Sequence, residues 1–186
     1  NYVHELCSYN ASGVITFTTN INQITHPEGV IVDNAGNRIV YGYDFSGFTT
    51  IYKYLQFDSL GTLIYSHSAA EPGQSEYRIL IGSNNSRYIF YTTDVVTGYS
   101  MSVNYHNLIE KISKLDSLNN VIWQVSSVFQ DTTLFTQYSD HASRYISPGI
   151  LCDGSLMYVH HNKSMPIGQN RLERISPNGT LLSAAS

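Results

Sequence analysis

The side chains best suited to binding or catalysis are concentrated in two stretches that lack the repeated pattern found elsewhere in the sequence. Segment 126–147 carries aromatic residues, carboxylates, a histidine and an arginine, and segment 92–108 adds two tyrosines and a histidine. Aromatic faces beside amide and carboxylate groups suit sugars or peptide segments. The predicted ligand-binding residues are Tyr99, Tyr105, His106, Phe135, Tyr138, Asp140 and His141.

The same stretches supply the groups that an enzyme acting on polysaccharide would use. A glycosidase needs two carboxylates that face each other across the substrate, and Asp94, Asp131 and Asp140 are candidates by location. A hydrolase or lyase using the acids and histidine of segment 126–147 is therefore the alternative to a binding protein. No nucleophile elbow accompanies Asp140 and His141, and neighbouring residues rarely form a triad. The sequence favours binding over catalysis.

The seven histidines do not form a metal motif. His160 and His161 are neighbours near a predicted strand end, so their side chains point to opposite faces of a sheet. No histidine or cysteine spacing matches a zinc site. The sequence predicts neither a metal site nor a cofactor.

Composition limits the class of protein and its partners. Hydrophobic residues make up 42% of the 186 residues and charged residues 13%, which is typical of a globular domain rich in strands. A net charge of −4 argues against a nucleic-acid partner, and no apolar run is long enough to span a bilayer. The amino terminus lacks a signal peptide and an initiator Met. These features predict a chain that begins after processing or inside a longer protein.

One short phrase recurs four times and predicts the architecture. Each copy has an Asx or Ser residue, a residue that tolerates positive φ three positions later, and then an aliphatic pair. The residues at the positive-φ position are Gly13, Gly61, Asn119 and Gly179. Gly and Asn adopt left-handed backbone conformations most readily, so the same tight hairpin turn is expected in all four copies.

A second hairpin pattern lies between the copies of the phrase and completes the repeat unit. Segments 29–41, 79–91 and 149–159 each read as an apolar run, a Gly/Asn/Asp turn and an aromatic-rich run. The sequence thus predicts an all-β chain of antiparallel four-stranded blade repeats, a partial or open β-propeller. The predicted parts are a leading hairpin at 1–24 and blades at about 25–68, 75–126 and 146–186. Three blades and a hairpin suggest additional blades from a parent chain, or self-assembly.

In a blade, the segments that join hairpins lie on the face opposite the short turns. The long joining segments are predicted at 17–29, 44–50, 68–78, 92–108, 126–147 and 161–170. Irregular loops grouped on one face of a rigid scaffold are the usual place for binding. A glycan, a peptide or a protein partner is expected there.

Three further residues are interpreted by position. Trp123 occupies the same place in its repeat as Phe17 and Tyr65, which favours packing between blades over a ligand platform. Cys7 and Cys152 are interpreted as two buried strand thiols, with one long-range disulfide as the alternative.

The repeated phrase also resembles a known family. The stretch from Lys114 to Trp123 reads KLDSLNNVIW, and the stretch from Gln56 to Tyr65 reads QFDSLGTLIY. These phrases resemble blade hairpins of secreted bacterial β-propeller proteins, the PQQ-like and related propellers exported by Bacteroidetes. The resemblance covers nearly the whole chain and rests on turn and packing residues. It implies a propeller fold and an extracellular or cell-surface location, and it carries over no catalytic residue.

Overall fold

The fold is known here from a computed structural model that describes residues 3–47, 49–72, 74–100, 103–134, 145–161 and 170–185. The regular secondary structure of these residues consists of β-strands, and neighbouring strands pair antiparallel. The prediction of an all-β chain with repeated four-stranded antiparallel sheets is confirmed. None of the described residues forms a helix of the length and hydropathy that crossing a membrane requires. The chain divides into two units, Asn1–Glu71 and Pro72–Ser186.

The first unit contains a hairpin, sheet 1, and a four-stranded sheet, sheet 2. Sheet 1 consists of β1 (Glu5–Tyr9) and β2 (Ile15–Asn20). Sheet 2 consists of β3 (His26–Val32), β4 (Arg38–Ser46), β5 (Thr49–Phe57) and β6 (Leu63–Pro72), paired in chain order. Only the last residue of β6 belongs to the second unit.

The second unit contains two four-stranded sheets, each also paired in chain order. Sheet 3 consists of β7 (Gln74–Ile81), β8 (Arg87–Ser100), β9 (Val103–Leu115) and β10 (Val121–Leu134). Sheet 4 consists of β11 (Tyr145–Ile150), β12 (Leu156–His161), β13 (Asn170–Ile175) and β14 (Leu181–Ala185).

The prediction of long irregular loops is wrong for most of sheet 3. β8 and β10 have 14 residues each and β9 has 13. They include residues 92–100, 103–108 and 126–134, which are predicted as loops from the sequence. The physical reason is that β9 pairs with β8 and with β10 along its length. That double ladder satisfies the backbone groups of the extended segments.

The predicted turn geometry is confirmed at all four repeat phrases. The φ angles are 76° at Gly13, 85° at Gly61, 69° at Asn119 and 88° at Gly179. In each turn the amide of this residue donates to the carbonyl three residues earlier, as in the bond from Gly61 to Asp58. The turn is therefore a type I turn closed by a left-handed residue, a common three-residue hairpin loop. Local sequence determines this geometry.

Sheets 1 and 2 share the core of the first unit. The buried side chains of this core are Leu6, Ile21, Ile24, Val40, Leu55 and Phe57, and Phe17 packs against them. A Cβ atom placed on Gly61 would lie 2.6 Å from the Phe17 ring. The aromatic side chain of β2 therefore rests on the glycine of the β5–β6 turn.

Sheets 3 and 4 share the core of the second unit in a similar way. Its buried side chains are Tyr88, Phe90, Ile112, Leu156, Tyr158 and Ile175, and Trp123 packs against them. A Cβ atom on Gly179 would lie 2.9 Å from the Trp123 ring, and the Trp123 Nε1 donates to the Pro177 carbonyl over 2.8 Å. The packing role predicted for Trp123 is confirmed.

The two cysteines are free thiols. Cys7 is half-buried in β1, whereas Cys152 is exposed in the turn between β11 and β12. The interpretation of Cys152 as a buried strand thiol is therefore wrong, because the turn places the residue in solvent.

Candidate functional site

The structure places three of the seven predicted ligand-binding residues. Tyr99 lies in β8, and Tyr105 and His106 lie in β9. They occupy strands instead of the predicted loops, because the ladder of sheet 3 continues through this segment. The other four residues, Phe135, Tyr138, Asp140 and His141, lie outside the described residues.

Register brings together two of the residues named in the sequence analysis. His106 of β9 lies directly opposite Asp131 of β10. Tyr105 is opposite Thr132, its neighbour in the ladder. Residues 126–134 of the predicted loop 126–147 belong to β10, and residues 145–147 belong to β11. His106 and Asp131 are therefore cross-strand neighbours in sheet 3 instead of residues in two loops.

A group of polar and aromatic side chains in mutual contact lies at one end of sheet 2, and its residues are not among those predicted from the sequence. This end carries the connection from β2 to β3 and the start of the β4–β5 turn, opposite the turns at 33–37 and 58–62. Both connections fall within segments 17–29 and 44–50, which the sequence assigns to the joining face. The residues themselves are His4, Gln23, Thr25, His26, Tyr43, Asp44, Phe45 and Lys53.

Close backbone contact at a strand irregularity positions this group. The pairing of β3 with β4 shifts register between Pro27 and Gly29. A Cβ atom on Gly42 would lie 2.2 Å from the His26 carbonyl oxygen and 2.8 Å from the Pro27 Cα. Only a glycine fits at position 42, and its small size lets the start of β3 lie against β4. Thr25 and His26 are thereby brought beside Asp44.

Asp44 is the centre of the polar half of the site. Its Oδ1 accepts hydrogen bonds from the Thr25 amide over 2.6 Å and from the Thr25 hydroxyl over 2.8 Å. Its Oδ2 forms an ion pair with Lys53, whose Nζ also donates to the Gln23 carbonyl over 2.7 Å. The Asp44 and Lys53 side chains are 17% and 26% exposed, so the pair is held at the surface with limited access to water.

The electrostatics keep Asp44 ionised. Partial burial acts to raise the pKa of its carboxyl, but hydrogen bonds from Lys53 and Thr25 and the charge of Lys53 outweigh burial and lower the pKa below 3.8. Because the folded-state pKa is below the unfolded one, the resulting stabilisation is complete above a pH of about 4. It is lost as the pH falls through the folded-state pKa. The ion pair is intact at neutral pH.

Three rings form the aromatic half of the site. His26 and Tyr43 are directly paired across β3 and β4, and their rings stack at 5.0 Å with an interplanar angle of 3°. Phe45 meets both rings edge-on, at 5.3 Å from His26 and 5.1 Å from Tyr43. Phe45 is 55% exposed and Tyr43 is half-buried. The cluster therefore presents a fixed aromatic surface to solvent.

Thr25 links the two halves of the site. Its hydroxyl donates to Asp44, so its oxygen is able to accept a hydrogen bond from His26 Nδ1, 3.0 Å away. In the neutral ring this tautomer leaves Nε2 as an acceptor. The His4 Nε2 lies 3.1 Å from the Thr25 carbonyl oxygen, within hydrogen-bond distance. The site thus combines ring faces with oriented hydrogen-bonding groups.

The described residues contain no group of three or more His, Cys, Asp or Glu side chains placed to hold a metal ion. The sheet 2 site offers aromatic rings for stacking and oriented hydrogen-bonding groups. Comparison with known proteins gives no further assignment: no family model matches the chain, and no curated protein shows significant sequence similarity to it.

Proposed function

We propose that the chain is an extracellular, β-propeller-like binding module, and that the joining-face end of sheet 2 binds a glycan. The observation that carries the proposal is the exposed Phe45 ring held by the His26–Tyr43 stack beside the Asp44–Thr25–Lys53 group. Sugars present apolar CH faces that stack on aromatic rings and hydroxyls that pair with carboxylates and imidazole. Along β4 the Tyr43 and Phe45 rings alternate with Asp44, so the rings and the carboxylate lie on opposite faces of the strand. Thr25 joins them at the end of the sheet, where a sugar can reach both.

Two observations support this proposal. The construction of the sheets supports a propeller, and the repeated turn phrase supports both a propeller and an extracellular location. Four-stranded antiparallel sheets joined in chain order are the units from which propeller blades are made. The repeated turn phrase resembles the blades of secreted bacterial propellers, and it predicts an extracellular address. Under this proposal each of sheets 2, 3 and 4 is one blade, and sheet 1 is the outer half of another.

Alanine at Tyr43 or Phe45 is expected to weaken glycan binding by about two- to tenfold each, because stacking contributes about 0.5–1.5 kcal/mol. The measurement is a glycan array with the 186-residue chain, followed by calorimetric titration of the best glycan. Tyr9→Ala is the matched control, since Tyr9 is 60% exposed and lies outside the cluster.

The control must retain full affinity while the cluster variants lose it. Equal affinities for Tyr9→Ala and Phe45→Ala would place the binding site elsewhere. If no glycan on the array binds at millimolar concentration, the glycan proposal is wrong.

A polysaccharide hydrolase or lyase is the second candidate function, and the register of sheet 3 favours it. Asp131 and His106 occupy directly paired positions on adjacent strands, and a carboxylate and an imidazole are groups that general acid–base catalysis uses. General acid–base catalysis contributes about 10²–10⁴-fold to rate. If the chain is such an enzyme, Asp131→Asn is expected to lower turnover by about a hundredfold or more.

The measurement for this candidate is release of reducing ends or unsaturated sugar from a polysaccharide panel. Asp116→Asn is the control, because Asp116 lies in the β9–β10 turn at the other end of the same two strands. Full turnover in Asp131→Asn would remove Asp131 from the reaction. Equal losses in both variants would indicate unfolding, to be checked by circular dichroism.

A further inference from the structure

Sheet 1 differs from the other sheets in a way that the repeat makes informative. The β1–β2 hairpin has a left-handed residue at the same turn position as the β5–β6, β9–β10 and β13–β14 hairpins. In the other three sheets, that hairpin forms the last two strands of four. In the part of the chain that the structure describes, sheet 1 has two strands. It corresponds to half of a sheet.

The missing half lies on the β1 side. β5, β9 and β13 are hydrogen-bonded on both sides, because each also pairs with the strand before it. Within the described residues, β1 pairs only with β2. The β1 strand therefore has one open edge that its three counterparts do not have.

The hydrogen-bond pattern identifies the backbone groups on this edge. The His4 carbonyl accepts from the Ile21 amide over 3.0 Å, and the Asn10 amide donates to the Val14 carbonyl over 2.9 Å. In an antiparallel pair, residues alternate between bonding inward and bonding outward. Even-numbered residues of β1 thus bond to β2. Glu5, Cys7 and Tyr9 direct their N–H and C=O groups to the open edge.

We propose that the open edge of β1 binds an antiparallel β-hairpin built like β3–β4, β7–β8 and β11–β12, and so completes another four-stranded sheet. The occupant is a hairpin of this repeat type, carried by polypeptide outside the described residues. Three complete sheets in the same chain place such a hairpin at the equivalent edge. Backbone bonding to an unpaired strand gives affinity without any dedicated pocket.

The chemistry of the occupant follows from its counterparts. The strands that pair with β5 and β9 begin with Arg38 or Arg87 and continue with β-branched and aromatic residues. Arg38 reaches across to sheet 1, where its guanidinium lies 3.1 Å from the Ser8 hydroxyl and 5.1 Å from the centre of the Phe17 ring. The strand that pairs with β1 is therefore expected to begin with an arginine and to continue with apolar and aromatic residues, as β4 and β8 do.

The test uses a synthetic peptide of residues 26–46, which comprises β3, its turn and β4, added to the 15N-labelled 186-residue chain. Saturating peptide is expected to slow hydrogen exchange at the Glu5, Cys7 and Tyr9 amides by about tenfold or more. The Leu6 and Ser8 amides, already bonded to β2, are expected to change little. A scrambled peptide of the same composition is the control probe.

Two proline variants identify the edge that binds. Cys7→Pro removes an amide from the open edge, whereas Thr18→Pro removes one from the outer edge of β2. The two residues are direct partners in register, and both variants lose the same Thr18 Oγ1–Cys7 Sγ contact. Proline is tolerated on a strand edge where the N–H has no ladder partner. Peptide binding is expected to be lost in Cys7→Pro and kept in Thr18→Pro.

Three results would overturn the proposal. The first is unchanged exchange at Glu5, Cys7 and Tyr9 up to millimolar peptide. The second is equal peptide binding by the two proline variants when their thermal stabilities match. The third is a concentration-dependent doubling of mass that Cys7→Pro abolishes, since a second copy of the chain would then occupy the edge.

Discussion

Replacing Trp123 by alanine is expected to lower the free energy of unfolding of the second unit by about 3 kcal/mol. The ring packs on Gly179 and meets Tyr88 edge-on at 6.1 Å, so its removal leaves a cavity against the core shared by sheets 3 and 4. Its Nε1 also donates to the Pro177 carbonyl. Chemical denaturation followed by circular dichroism measures the loss.

Two matched substitutions separate the contributions to this loss. Trp123→Phe keeps an aromatic ring and removes the N–H, and its expected cost is about 1 kcal/mol. The Pro177 carbonyl keeps a second donor, Lys114 Nζ at 3.0 Å. Val121→Ala, at a site 61% exposed on the same strand, is expected to change stability by less than about 0.5 kcal/mol. Equal effects of Trp123→Ala and Val121→Ala would contradict the packing role.

Replacing Asp33 by alanine is expected to destabilise the first unit by about 3 kcal/mol, the second large effect. Asp33 is only 6% exposed. Its Oδ1 accepts from the amides of Ala35 and Asn37, and its Oδ2 accepts from the side chains of Asn37 and Gln56. Alanine removes the acceptor of four hydrogen bonds at a place where Asp33 and Gln56 are buried and Asn37 is half-buried, and the loss of polar partners is costly where water has little access.

Asp58 provides the control for this substitution. Its Oδ1 accepts from the amides of Leu60 and Thr62 in the same geometry, but in a solvent-facing turn. Asp58→Ala is expected to cost about 1 kcal/mol, because water replaces the carboxylate. Thermal or urea unfolding of both variants measures the difference. A loss for Asp33→Ala no greater than that for Asp58→Ala would show that the buried bonds contribute little.

The repeated turns could be predicted from sequence because their geometry is local. In all four copies of the phrase, a left-handed residue three positions after an Asx or Ser residue forms the same hairpin turn, and Asn119 adopts it as the glycines do. The packing of Trp123 was also predictable, since its position in the repeat matches that of Phe17. Strand lengths were not predictable in this way. A segment such as 92–100 is extended because β9 pairs with it, and that pairing depends on distant residues.

The sheet 2 site was missed for a related reason. Tyr43 and Phe45 alternate with Gly42 and Asp44, a pattern that also describes an ordinary strand with one buried face. Their significance depends on Thr25, which is 19 positions from Asp44 and is brought to it by the register shift in β3. The sequence did predict that segments 17–29 and 44–50 lie on the joining face. It could not show that their side chains meet.

The most direct test of the proposed function is an NMR titration of the chain with its best-binding glycan, observed at assigned aromatic resonances. The binding account predicts saturable shifts of the Phe45 and Tyr43 rings and of His26, with no change at Tyr9. Shifts confined to Tyr99, Tyr105 and Tyr138, with the sheet 2 rings unchanged, would contradict it.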